Sequence, residues 1–237
     1  MTRILVIVHE PSCSSGRLGQ LWHNAGADVV EINAWNHPVP PIVDADALVV
    51  LGGSMSCQDD AEAPWLAPTR QLISRTVRAG TPFLGICLGH QLATVALGGQ
   101  VCTSDHFCLG AAEMHLTPEG KKDPLLSVYD GHRGIHFNND VAVVLPEDAV
   151  LLARDPTGQI EAVRFAERAW GVQFHPECTP EIFDAWTIGH GEKEWQQRLP
   201  WSEAVTVAET VRRDIDTVNA EEAFAARFQE LIDPEKR

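Results

Sequence analysis

Gly85-Ile86-Cys87-Leu88-Gly89-His90-Gln91 is the stretch around which the chain is arranged. An apolar run, Pro82 to Ile86, leads into Cys87, and a helical pattern follows from Leu88 to about Leu97. Glycines stand two before and two after the cysteine. This is the sequence form of a nucleophile elbow, in which a strand turns sharply into a helix and exposes one reactive side chain at the corner. Such a corner crowds backbone against backbone, so a Cβ at the flanking positions clashes. A helix that starts behind Cys87 points free N–H groups and the positive end of its dipole at the sulfur, which favours thiolate.

Outward from this stretch the pattern repeats. Arg3–Val8, Asp28–Ile32 and Ala47–Leu51 read as short buried strands. Between them, Arg17–Ala25 and Pro64–Ala79 have helical spacing, each closed by a glycine, Gly26 and Gly80. Strands alternating with helices predict right-handed crossovers and an α/β fold, a doubly wound, mainly parallel open sheet with helices on both faces. Ligands in such sheets bind beyond the carboxyl ends of the strands, which places Gly52-Gly53 and Cys87 on one rim.

After Gly99 the character changes. Ala111–Leu116, Val141–Leu145, Val150–Ala153, Glu161–Phe165 and Trp170–Phe174 are strand-like runs separated by turn residues, and they predict an antiparallel strand extension. Thr179-Pro180-Glu181 predicts a helix start. Near the end, Ala204, Val207, Val211, Ile215 and Val218 recur at helical spacing, and Asn219 with Glu222 has the form of a capping box before Phe224, Phe228 and Leu231. Residues 1–190 are expected to form one domain. Residues 191–237 form a C-terminal helical appendage, packed on that domain or serving as the surface of a partner or homodimer.

Composition removes several classes of function. The formal net charge is −15 over 237 residues, and no Lys/Arg run occurs, which argues against a nucleic-acid groove or an anionic membrane surface. The run Met1 to Val8 has no leader-like charge pattern and is far shorter than a membrane span. The six cysteines form no close pairs, so neither a disulfide framework nor a zinc site is expected, and a cytoplasmic location is.

A thiol nucleophile needs a base. His175-Pro176-Glu177 supplies an imidazole with an acid two residues on. In an extended segment residues i and i+2 share a face, so Glu177 can orient the ring of His175 while its other edge faces the sulfur. His90 follows the elbow along a helix, and no catalytic role is expected for it.

The pairing of this elbow with Gly171-Val172-Gln173-Phe174-His175-Pro176-Glu177 resembles the class I, triad-type glutamine amidotransferases, closest to a stand-alone GMP-synthase-like domain. The resemblance runs from about residue 3 to 190 and includes Leu51–Ser56, Pro64-Trp65-Leu66, His115–Gly120, Asp123–Leu126 and Leu145–Ala153. It implies Cys87 as nucleophile, His175 as base and acid, and Glu177 as the third member. It also implies an oxyanion hole from the N–H groups of Gly53 and Leu88, and Gln91 as a side chain that holds substrate. The implied reaction splits the side-chain amide of glutamine without metal or organic cofactor, and releases ammonia to a separate synthetase or amidase partner. Related sequences carry His-x-Asp where this one has His136-x-Asn138, so a difference is expected at the ammonia exit or partner dock. Cys102 and Cys108 flank a loop, Cys102–Leu109, that matches poorly where the family contacts the substrate α-groups. The alternatives are therefore a γ-glutamyl hydrolase or peptidase on the same scaffold, and a catalytically silent binding or regulatory subunit.

Overall fold

The computed structural model describes residues 1–187, 201–215 and 220–233. Five strands form the parallel part of its large sheet: β1 (Arg3–Val8), β2 (Asp28–Asn33), β3 (Ala47–Val50), β4 (Phe83–Ile86) and β10 (Ala169–Val172), in spatial order β2-β1-β3-β4-β10. Antiparallel strands β9 (Ile160–Ala166), β8 (Val150–Arg154) and β6 (His115–Leu116) extend it. The central parallel strands β3, β4 and β10 are buried along their whole length because both faces are covered, whereas the edge strand β2 carries Asp28, Glu31 and Asn33. Ile4, Val6 and Val8 point into one cluster with Leu18 and Trp22 of α1 (Gly16–Asn24). Leu5 and Ile7 point into the other, with Leu72 and Ile73 of α2 (Leu66–Arg78) and Leu88 and Leu92 of α3 (Leu88–Ala96).

Two expectations are corrected here. The final strand-like run does not extend the sheet by antiparallel pairing alone. β10 lies parallel to β4 on one side, Val172 opposite Ile86, and antiparallel to β9 on the other. All four of its residues are buried, as a central strand requires. The segment Cys102–Leu109 is not a loop. It lies within β5 (Gln100–Glu113), which pairs with β7 (Arg133–Val144) in a separate two-stranded sheet. The pairing shifts register between Thr103 and Cys108, and that irregularity coincides with the poorly matched residues. Period two is hard to see in β7 because the interior side carries His136 and Asn138, which are buried, in place of apolar residues.

Helix α4 (Pro180–Thr187) begins where expected, with the Ile182 N–H donating to Thr179 Oγ1 at 3.3 Å. Among the described residues two further helices follow, α5 (Trp201–Asp214) and α6 (Glu221–Ile232). Val211 and Ile215, in and just after the first, pack with Phe183 and Trp186 of α4. Phe224 and Phe228 of the second enter the main core, where Phe228 meets Trp22 at 5.5 Å and the Trp22 indole N–H donates to Ala225 O at 3.1 Å. Burying each phenyl ring contributes about 1.5–3 kcal/mol. The expected boundary at 190, and Val218 and Asn219 of the expected spacing and capping box, lie outside the described residues. None of the described helices is long and apolar enough to cross a membrane.

Candidate active site

The parallel pairing of β4 with β10 builds the site. Ile86 and Val172 are register partners, so the chain leaves both strands at the same rim. Cys87 comes one residue after the first and His175 three after the second. Cys87 has φ 48° and ψ −105°, the one non-glycine residue with positive φ among those described. That conformation is strained for an L-residue and persists because its surroundings fix it. The Cys87 N–H donates to Val172 O at 2.8 Å, and the Gly89 N–H to Leu51 O at 3.1 Å. A Cβ on Gly89 would lie 2.0 Å from Val50 O, so only glycine lets α3 approach β3 this closely.

The His175 segment is held from several sides. Its backbone N–H donates to Ile135 O of β7 at 2.8 Å. The Arg17 N–H at the start of α1 donates to Glu177 O at 2.9 Å. Within the segment, His175 Nδ1 lies 2.7 Å from Glu177 Oε1, and both residues are buried. Burial alone would push the imidazole down. The nearby Glu177 carboxylate, with the Cys87 sulfur adding in the same direction, outweighs burial and raises it to about 10. The structure thus brings Cys87, His175 and Glu177 together in the order expected from their spacing.

The Leu88 N–H is the first of α3 and has no intrahelical acceptor. Gly53 stands beside it, since a Cβ there would lie 3.0 Å from Leu88 Cδ2. Gln91 is buried rather than solvated. Its side-chain Nε2 donates to Asp140 O at 2.8 Å and to Gln173 Oε1 at 3.3 Å. His90 is fully buried against Phe165 and Gly171, away from acceptors. His136 is buried too, with Nδ1 on Gly134 O at 3.0 Å and Nε2 on Glu161 Oε2 at 2.7 Å.

Three neighbours of Cys87 and His175 have no role assigned from sequence, although Gly52 is placed there on the same rim as Cys87. Gln173 Nε2 donates to Cys87 Sγ at 3.5 Å, and its place just before Phe174-His175 is the available signal. Gly52 leaves room for the imidazole, because a Cβ there would stand 3.0 Å from His175 Cε1. Trp186 has its ring 4.4 Å from that of His175, a contact with no local signal in sequence. Among the described residues, no group of three or more His, Cys, Asp or Glu side chains is arranged to hold a metal ion.

Comparison with known proteins fits this geometry. The family model described as glutamine amidotransferase class-I matches residues 22–189. The chain is 30% identical over 198 residues to the glutamine amidotransferase-like protein YfeJ of Salmonella typhimurium, covering 81% of this chain and 82% of that one. It is 30% identical over 182 residues to a subunit of the glutamine-hydrolyzing GMP synthase of Halobacterium salinarum, covering 75% of this chain and 90% of that one. The crystal structure of a glutamine amido transferase from Methylobacillus flagellatus shares the fold, with a TM-score of 0.84 at 23% identity over 98% of this chain and 96% of that one. The matched span opens within α1 and closes just past α4, so it contains both the strained corner and the imidazole opposite, and on that extent the chain belongs to the class-I glutamine amidotransferase family.

Proposed function

We propose that the protein hydrolyses the side-chain amide of glutamine through a thioester on Cys87 and delivers the ammonia to an acceptor enzyme on a separate chain. The observation that carries this reading is the position of the His175 ring, with Glu177 at 2.7 Å on Nδ1 and Cys87 beside it across Gly52. An imidazolium held in this way supports a thiolate before substrate arrives.

The thiolate attacks the amide carbon and a tetrahedral oxyanion forms. The N–H groups of Leu88 and Gly53 are the donors proposed to hold it, because preorganised donors act where charge develops. His175 gives its proton to the departing nitrogen, so ammonia leaves and the γ-glutamyl thioester remains. Water then loses a proton to the imidazole and attacks the thioester. Glutamate departs and the sulfur recovers its starting form. Glu177 keeps the ring in the tautomer and orientation that both halves need.

A separate acceptor is supported by the name of one relative, which is itself one subunit of a GMP synthase. The test is a glutaminase assay, alone and with candidate synthetases, with trapping of Cys87 by a chloroketone analogue of glutamine. Ammonia release and labelling of Cys87 are expected. Turnover confined to γ-glutamyl peptides would replace free glutamine as the substrate. Neither turnover nor labelling would leave a binding subunit.

A further inference from the structure

Trp186 is not needed by any step of that reaction, yet its ring lies directly against that of His175. The two ring centroids are 4.4 Å apart and the planes are inclined at 54°. Both residues are buried, at 3% and 4% exposure. The indole cannot turn freely, because its N–H donates to Ser12 O at 2.9 Å. The polar edge is thus committed to the loop after β1, and the ring's carbon surface remains for the imidazole. Helix α5 holds this arrangement from behind. Arg212 Nε donates to Asp184 Oδ1 at 2.7 Å, and Val211 and Ile215 pack in one cluster with Phe183 and Trp186.

Packing accounts for burial here but not for an indole. Of the side chains, the indole has the π surface that attracts a cation most strongly, and the attraction grows where water is excluded. We propose that Trp186 is a positioning residue for amide hydrolysis: its indole steadies the His175 ring between Glu177 and Cys87 and favours the protonated imidazole, and α5 of the C-terminal segment keeps the indole in place. This rests on the reading of Cys87 and His175 as nucleophile and proton carrier.

The other charged or titratable groups around His175 are accounted for. Glu177 comes from its own segment and Cys87 from the corner, and these are the charges that raise it. Glu10, after β1, accepts from the Ser54 N–H, Ser54 Oγ and Cys13 Sγ, while burial pushes neighbouring His9 down to about 3. Asp184 of α4 is paired with Arg212, and Glu181 is on the surface. His136 of β7 is bonded to Glu161. Glu221 of α6 lies 4.0 Å from Arg17. Burial pushes the Cys13 and Cys178 thiols well up, so neither carries charge near neutral pH.

The experiment is a titration of the His175 ring by NMR in isotopically labelled protein, with its signal assigned by loss in His175→Gln. Four proteins are compared: wild type, Trp186→Phe, Trp186→Leu, and protein with tetrafluorotryptophan at position 186. The fluorinated ring keeps the shape of indole and removes the negative π face. The midpoint should fall by about half to one pH unit in Trp186→Leu and in the fluorinated protein, and by less in Trp186→Phe. The alkaline limb of kcat/KM for glutamine should move down in step. An unmoved midpoint in the fluorinated protein overturns the proposal, whatever Trp186→Leu does to folding. The titration requires no turnover. An active wild type with unmoved midpoints sinks this inference alone, whereas a wild type that releases no ammonia sinks the amidase reading on which it rests.

Discussion

The rim above β4 and β10 and the layer just beneath it each bury a histidine, and the two behave oppositely. His90 in α3 is fully buried, neither ring nitrogen has a protein partner, and burial pulls it down to about 4. His175 is about as buried, and burial pulls on it in the same direction, yet it stands near 10. The difference is two neighbours that favour its charge, the Glu177 carboxylate first and the Cys87 sulfur second. Glu177 and Cys87 reach one ring, and the other meets Phe165 and the backbone at Gly171. Burial of an imidazole is therefore no mark of function. What separates a proton carrier from a packed side chain is whether the surroundings stabilise the charge that burial makes expensive.

The largest expected effect comes from removing the sulfur on which the proposed thioester forms. Cys87→Ala should abolish glutamine hydrolysis, a loss of several orders of magnitude or more. The fold should survive, because the hydrogen bonds that fix the corner at φ 48° come from the backbone and remain in the variant. Measurable turnover in this variant would remove the thioester. Next, His175→Ala should cost about three orders of magnitude in kcat, and Glu177→Gln less, about two, since a glutamine can still hold the ring without stabilising its charge. Glu177→Gln also tests the comparison directly. The ring of His175 should fall toward the behaviour of His90, as read by NMR titration. Equal losses of kcat would count against a merely supporting role for Glu177, and an unmoved titration would show that its charge does not hold the proton on the ring.

A smaller effect is expected at Gly52, where the missing side chain is what admits the imidazole. A Cβ would stand 3.0 Å from His175 Cε1 and 3.6 Å from Cys87 Cβ. The first contact is close enough to force a shift of a few tenths of an ångström in the imidazole, whereas the second is ordinary packing, and misplaced reacting groups lose rate steeply. Gly52→Ala should lower kcat by about tenfold with little change in KM. A fall in affinity at constant kcat would place Gly52 against the substrate instead of against the base.

The corner is legible in sequence because its signals are local. A strand, a glycine-flanked cysteine and a helix are consecutive in Pro82–Leu97, and His175 and Glu177 face each other across Pro176 alone. The meeting of the two segments is less legible, because it depends on β10 lying parallel to β4 in the middle of the sheet. Trp170–Phe174 reads as one more strand after several hairpins, and nothing local tells a central parallel neighbour from an outer antiparallel one. β5 and β7 are obscured for another reason. Their core-facing positions include His136 and Asn138, whose polarity hides the alternation that marks a strand. The contact of Trp186 with His175 arises from the way α4 folds back over the rim, so it has no counterpart in sequence spacing.

The smallest effect on activity should come from the other histidine of the comparison, and there the reading is stability. His90 titrates at about 4 in the folded chain against 6.5 when free. Below pH 6.5 the unfolded chain therefore takes up a proton that the folded chain refuses. The stability associated with the neutral ring is fully present above pH 6.5 and is lost as pH falls toward 4. His90→Leu places an apolar group of similar size where two ring nitrogens lack partners, and it titrates in neither state. It should leave the pH profile of glutamine hydrolysis in place. It should also remove on the order of 2 kcal/mol of the stability otherwise lost between pH 7 and pH 4.5, measured by urea unfolding at the two values. Some acid sensitivity should persist, because His9 is held down to about 3 and loses stability over the same window. An unchanged difference between the two pH values would mean that His90 takes up its proton as readily inside the fold as outside it, and the contrast with His175 would then have to rest on geometry alone.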